Sequence, residues 1–145
     1  MYNIRKFQPN DMFSVIKLSS ETLTEHYNPN LFNHFYETFP DGFLVAEELK
    51  RIIGFIVGLE AFPGTLKILM LAVKKEYRKQ GIGSALLNNF FEVALAQNIK
   101  YMELEVRRDN NQAIRFYQKQ RFEIVETISK FYQNGEDAYI MRRSI

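Results

Sequence analysis

The chain has 145 residues, 46% hydrophobic and 25% charged, a composition that predicts one ordinary globular domain spanning residues 1–145. Its net charge of +2 argues against a broad electrostatic surface for nucleic acid, and the absence of cysteine excludes disulfides, thiolate metal sites and a cysteine nucleophile. Because no signal peptide and no apolar run of about 20 residues is found, we expect a cytoplasmic protein that does not enter membranes.

The first third of the sequence predicts a strand followed by two helices. Residues 3–7 have the pattern of a short strand, and after the Pro9-Asn10-Asp11 break apolar residues recur at helical spacing from Met12. Asn28-Pro29 has the pattern of an N-cap and first turn, so we expect a second helix with its phenylalanines on one side.

The remainder predicts a three-stranded meander, a long helix, and then alternating strands and helix. The resulting order is βααβββαβαββ, which indicates an α/β fold with a mixed, mostly antiparallel sheet and helices on both faces. The predicted strands cover 43–48, 52–62, 65–73, 101–106, 122–129 and 138–142, and the predicted helices cover 81–97 and 110–120.

A basic, glycine-containing turn precedes the long helix. Gly81 and Gly83 let the backbone approach a ligand closely, and the unpaired amides of a helix N-terminus favour an anion. A P-loop is disfavoured because no lysine follows Gly83, and a dinucleotide fingerprint is weak because Leu86 stands where a small residue is expected. The turn alone therefore leaves an Arg-x-x-Gly-x-Gly anion site, begun by Arg78, and a turn without ligand as alternatives.

A second motif runs from the strand residue Glu105 through Asn110 to Tyr117 in the next helix. Together with the glycine turn, and in element order over essentially the whole chain, it resembles the GNAT family of N-acetyltransferases. The resemblance is strongest to the ribosomal-protein alanine N-acetyltransferases (RimI-like) and to catalytic subunits of type A N-terminal acetyltransferases (Ard1-like). The sequence departs from the family at Arg121, where glycine is usual before the phenylalanine.

The resemblance implies an acetyl-CoA cosubstrate. No metal is expected, because no metal-ligating partner shares the sequence neighbourhood of His26 or His34. The backbone of three strand residues would pair with the pantetheine arm, the glycine turn would surround the pyrophosphate, and Asn110 would bind the cofactor while also capping its helix. Lys74 and Lys75 are further cations near the turn, and we expect two of the four cations, counted with Arg78 and Lys79, to be merely solvated. The implied cofactor-binding residues are Leu71, Ala72, Val73, Arg78, Lys79, Gln80, Gly81, Ile82, Gly83, Ser84, Asn110 and Tyr117.

Acetyl transfer to an amine requires a base for the amine proton, a donor for the oxyanion and an acid for the leaving thiolate. Glu105 is the expected base, with Glu103 as the alternative because both point to the same face of a strand. Tyr117 is the expected acid, and the backbone amide near Val73 is the oxyanion donor that the family resemblance implies.

The acceptor is implied to be the N-terminal α-amino group of proteins or peptides. Glu25 and Tyr27 resemble the substrate loop of N-terminal acetyltransferases, and Phe131 and Tyr132 resemble the aromatic pair that grips the peptide. The alternative for Phe131 and Tyr132 is that they are ordinary strand residues, and the phenylalanines of the helix that follows Tyr27 are expected to belong to the core. A lysine or small-amine acetyltransferase of the same fold and a noncatalytic CoA-binding module remain as alternatives, and an auxiliary subunit or ribosome association is a further expectation.

Overall fold

The computed structural model describes residues 1–23 and 27–145, in which the elements follow the predicted order βααβββαβαββ. The strands are β1 (Asn3–Lys6), β2 (Phe43–Glu48), β3 (Arg51–Phe62), β4 (Thr65–Val73), β5 (Tyr101–Arg107), β6 (Glu123–Ile128) and β7 (Ala138–Ser144). The helices are α1 (Met12–Thr22), α2 (Pro29–Thr38), α3 (Ile82–Ala96) and α4 (Asn111–Lys119).

Two of the helices begin at the side-chain caps that the sequence predicts. The Asn28 side chain accepts a hydrogen bond from the Asn30 amide at 2.9 Å, and Pro29 occupies the first turn of α2. Asn110 caps α4 in the same way, accepting from the Ala113 amide at 3.2 Å. Each cap satisfies one of the amides that a helix N-terminus leaves without a partner.

The strands form one mixed sheet in the order β1-β2-β3-β4-β5-β7-β6. Neighbouring strands are antiparallel except for β4 and β5, which are parallel. The helices cover both faces, as expected from the sequence. Buried side chains of α3 and α4 pack on one face in a cluster that includes Leu86, Leu104 and Tyr117, whereas α1 and α2 cover the other.

A β-bulge at Leu69 bends β4 in the middle of the sheet. The register pairs Val57 with Met70 but Gly58 with Ile68, so Leu69 is an extra residue on β4. Accordingly Ile68 packs on the α3 face and Met70 on the α1 face, a change of side that normal alternation does not allow.

The bulge opens a gap between the two parallel strands. Pairing between β4 and β5 is confined to Thr65–Lys67 against Tyr101–Glu103 in the described chain, so the rest of each strand diverges. On the gap side, the backbone of Leu71 and Val73 points away from β3, because the Lys74 amide donates to the Ile53 carbonyl and antiparallel pairs alternate. Backbone groups that do not pair with β3 therefore border the gap.

Candidate active site

Two adjoining cavities of about 420 and 200 Å³ occupy the gap between β4 and β5. The larger cavity is bordered by Lys67 and by the segment that follows β6, and the smaller one by Asn110 and Tyr117 of the α4 region. The residues common to both are Tyr27, Ile68, Leu69, Glu105, Arg107 and Tyr132. A ligand reaching from one cavity to the other therefore passes Glu105.

Glu105 faces the gap because of the alternation of β5. Met102, Leu104 and Val106 point into the core under α3 and α4, so Glu105 points to the opposite face of the sheet. Its side chain is 14% exposed, and its Oε1 lies 2.6 Å from the Lys67 Nζ. The predicted base is thus partly buried and ion-paired at the junction of the two cavities.

Glu103, the alternative base, is placed differently. It is buried, and its Oε2 accepts hydrogen bonds from Arg142 Nε at 3.0 Å and Nη2 at 2.8 Å. Glu103 borders neither cavity. Of the two carboxylates that the sequence leaves open, Glu105 therefore has access to the gap and Glu103 holds β5 to β7.

Tyr117 reaches the gap from the other face of the sheet. Its ring packs edge-on against Phe116 and Phe122, with ring centroids 5.1 and 5.4 Å away. Burial raises the pKa of the Tyr117 phenol above its usual range, so the hydroxyl keeps its proton at neutral pH. The Glu105 carboxylate and the Tyr117 phenol therefore belong to residues that border the same cavity from opposite faces of the sheet.

The glycine turn forms the N-terminus of α3 at the carboxyl end of β4. Gly81 is the N-cap with φ of 81°, a left-handed conformation that glycine adopts without strain, and Lys79 has φ of 63°. The first intrahelical bond runs from the Ala85 amide to the Gly81 carbonyl, so the amides of residues 82–84 have no partner within the helix. Arg78 Nε donates to the Val73 carbonyl at 3.1 Å, which ties this turn to the end of β4.

Aromatic residues border the larger cavity. The Tyr27 hydroxyl lies 3.5 Å from the Leu69 carbonyl, where it donates a long hydrogen bond. Phe131 and Tyr132 lie in the β6–β7 connection with their rings nearly perpendicular, and the Arg107 guanidinium stacks 5.2 Å from the Tyr132 ring centroid. Glu25, the remaining predicted substrate residue, lies outside the described residues.

Sequence reasoning missed three contributors to this site: Lys67, Arg107 and the bulge at Leu69. Arg107 follows Glu105 by two residues, so strand alternation places both side chains on the same face of the sheet. That alternation alone could have identified Arg107 as a site residue. Lys67 and Leu69 depend on how β4 pairs with its neighbours, which no local pattern in TLKILMLAV indicates.

No helix in the described part of the chain is long and apolar enough to cross a membrane. Nor do three or more side chains suitable for holding a metal ion come together anywhere in residues 1–23 and 27–145.

Comparison with known proteins agrees with this geometry. Residues 12–122 match the model of the acetyltransferase (GNAT) family. The N-alpha-acetyltransferase of Sulfurisphaera tokodaii is 32% identical over 152 residues, covering 97% of this chain and 91% of that protein. Ard1 from Thermoplasma volcanium superposes with a TM-score of 0.95 at 36% identity, covering 99% and 97% of the two chains. Arabidopsis thaliana Naa50 in complex with the bisubstrate analogue CoA-Ac-MVNAL superposes with a TM-score of 0.85 at 26% identity, covering 99% of each chain.

Proposed function

Because the chain belongs to the acetyltransferase (GNAT) family, we propose that it transfers the acetyl group of acetyl-CoA directly to the N-terminal α-amino group of proteins or peptides. The observation that supports this most is that Glu105 and Tyr117 both border the smaller cavity in the gap between β4 and β5. The relatives named above include an N-alpha-acetyltransferase and a protein captured with CoA joined to a peptide.

Acetyl-CoA fits the structure as an extended cosubstrate. The free amides of residues 82–84 and the positive end of α3 suit the pyrophosphate, with Arg78 and Lys79 as neighbouring cations. The gap-facing backbone of Leu71 and Val73 provides donors and acceptors for the amides of the pantetheine arm. Asn110 uses its side-chain oxygen Oδ1 to cap α4, which leaves its side-chain nitrogen Nδ2 to donate to the cofactor.

The proposed reaction needs no acyl-enzyme. Glu105, directly or through a water, takes a proton from the acceptor ammonium, and the neutral amine then attacks the thioester carbonyl carbon. As the tetrahedral intermediate collapses, the C–S bond breaks and the thiolate takes the phenolic proton of Tyr117. The nitrogen then gives up its second proton, which restores the phenol, and the proton held by Glu105 leaves to solvent. The backbone amides of Leu71 and Val73 face the gap, and the amide near Val73 is the proposed donor to the oxyanion.

The larger cavity is the proposed site of the acceptor peptide. Tyr27, Phe131 and Tyr132 provide flat surfaces against which a peptide backbone packs, and Glu105 stands at the inner end, where the α-amine must arrive. Association with an auxiliary subunit or with ribosomes stays a prediction, which cosedimentation of the purified protein with ribosomes tests. Cytoplasmic location also stays a prediction.

The test gives purified protein acetyl-CoA and matched peptides whose N-termini are free or blocked. We expect thiol release with free N-termini alone, and a loss of about 10²- to 10⁴-fold in kcat for the Glu105→Gln variant. Glu103→Gln is the matched control in the same strand and should keep kcat within a few-fold if the variant remains folded. Equal rates with blocked peptides refute the α-amine assignment, and turnover of polyamines alone supports the small-amine alternative. Tight CoA binding without any turnover supports the noncatalytic module.

A further inference from the structure

Lys67 lies at the last point where β4 and β5 are paired. The register places Lys67 directly opposite Glu103, and it places Arg142 of β7 opposite Glu103 on the other side. A row of three charged residues therefore crosses the sheet on the α1 face. Normal cross-strand pairing would join Lys67 to Glu103.

The observed ion pair joins Lys67 to Glu105 instead. Arg142 already holds Glu103 through two hydrogen bonds, whereas the Lys67 ammonium reaches two residues further along β5 to Glu105 at 2.6 Å. Arg142 thus pairs with Glu103 outside the cavities, and Lys67 pairs with Glu105 at the junction of the cavities.

Partial burial makes this ion pair more than a surface contact. The Lys67 side chain is 29% exposed and that of Glu105 is 14% exposed, and both border the larger cavity. A pair at this depth is screened less by solvent than an exposed one. The ammonium contacts Oε1, which ties the orientation of the Glu105 carboxylate to the position of Lys67.

We propose that Lys67 is a positioning residue, whose ammonium fixes the orientation of the Glu105 carboxylate in the acceptor cavity. This inference rests on the proposed function, in which Glu105 is the base. Without Lys67, the Glu105 side chain gains rotamer freedom and turns toward solvent or toward the other cation that borders the cavity, Arg107. Among residues 1–23 and 27–145, the charged and titratable side chains that border the two cavities are Lys67, Glu105, Arg107, Tyr27, Tyr132 and Tyr117.

The size of the effect is bounded by the role of Glu105 itself. A general base contributes about 10²- to 10⁴-fold, and a carboxylate that is misplaced but present retains part of that factor. We therefore expect Lys67→Met, which removes the charge and keeps the side-chain length, to lower kcat by about 10-fold. The KM for the peptide should change by less than about 3-fold.

The decisive experiment is a double-mutant cycle built from the full chain, with Lys67→Met, Glu105→Gln and both together. Single-turnover rates with enzyme in excess keep the slow variants measurable. If Lys67 acts through Glu105, Lys67→Met lowers the rate in the wild-type background but leaves the Glu105→Gln background unchanged within about 2-fold. Lys67→Arg should recover most of the lost rate, because it restores a cation at the same place. Lys100→Met, an exposed lysine just before β5, is the control and should behave as wild type.

Three results overturn the inference. The first is an equal loss from Lys67→Met in both backgrounds, which would make Lys67 independent of Glu105. The second is a raised peptide KM at constant kcat, which would make Lys67 an acceptor-binding residue. The third is an unchanged rate. A wild-type protein that acetylates polyamines but not peptides contradicts the proposed function alone, and the same cycle is then measured with the amine that is accepted.

Discussion

Tyr117→Phe tests whether the hydroxyl at the gap is a buried proton donor. The substitution removes one oxygen and keeps the ring, whose packing on Phe116 and Phe122 provides most of its contribution to the core. At pH 7 we therefore expect the free energy of unfolding to change by less than about 1 kcal/mol. The value of kcat should nevertheless fall by about 10²-fold, because the departing thiolate loses its proton source.

The same variant has a second consequence at high pH that follows from burial. The raised pKa of Tyr117 keeps its phenol protonated in the folded state, whereas in the unfolded state the same phenol ionises with the ordinary pKa of about 10. The unfolded state then binds fewer protons than the folded state, so stability is fully present below pH 10 and is lost as pH rises. At pH 11 this loss approaches RT ln 11, or about 1.4 kcal/mol.

Urea unfolding of wild type and Tyr117→Phe at pH 8 and pH 11 measures this difference. All other tyrosines and lysines are common to both proteins, so their contributions cancel in the comparison. We expect wild type to lose about 1 kcal/mol more than the variant between the two pH values. Equal losses would show that the folded Tyr117 ionises like a solvated tyrosine, and the argument for a protonated donor at the gap would then be wrong.

Three further substitutions test the framework around the site by chemical denaturation. Arg121 has φ of 70°, a left-handed backbone conformation that is strained for a residue with a Cβ atom. Arg121→Gly should therefore stabilise the protein by about 0.5 to 1 kcal/mol, and a loss of stability would contradict this. A methyl group at Gly58 would overlap the Lys67 carbonyl and the Phe90 ring, so Gly58→Ala should cost about 1 to 3 kcal/mol, whereas a neutral result would mean that β4 shifts freely. Burial raises the pKa of Asp11, but hydrogen bonds from Arg5 and the Gln8 amide outweigh it and hold that pKa below its usual value. The resulting stability is present above about pH 4 and lost as pH falls through the folded pKa. Asp11→Asn should therefore lower the free energy of unfolding by about 2 kcal/mol at pH 7, and it should reduce the loss of stability that wild type shows below pH 4. The same acid dependence in both proteins would contradict this.

The order of elements could be predicted because each one is marked locally. Asn28-Pro29 and Asn110 cap their helices as the sequence indicates, and the two strand-to-helix motifs fix the positions of α3 and α4. The boundaries differ by a residue or so for physical reasons. The long helix begins at Ile82 and not at Gly81, because Gly81 adopts a left-handed conformation that no helical residue has.

The part of the candidate site that lies in one continuous motif is indicated directly by the sequence. Glu105 and Tyr117 are set by one strand and the helix that follows it, and both reach the gap. The choice between Glu105 and Glu103 needed Arg142, which is about 40 residues away and holds Glu103 through the pairing of β5 with β7. The bulge at Leu69 is likewise a property of two paired strands, because it exists only as a mismatch in register between β3 and β4.

The bulge gives a physical reason why the proposed acid and base can act on opposite sides of one thioester carbonyl. Strand alternation puts Glu105 on the α1 face of the sheet, and the packing of α4 puts Tyr117 on the α3 face. In a continuous sheet, paired backbone would lie between the two side chains. The gap that begins after Lys67 removes that backbone barrier over the length of the smaller cavity. On the proposed assignment, the amine then approaches from the face of Glu105 and the thiolate leaves toward the face of Tyr117. The acceptor and CoA therefore need not pass each other, which favours direct transfer over a covalent acyl-enzyme.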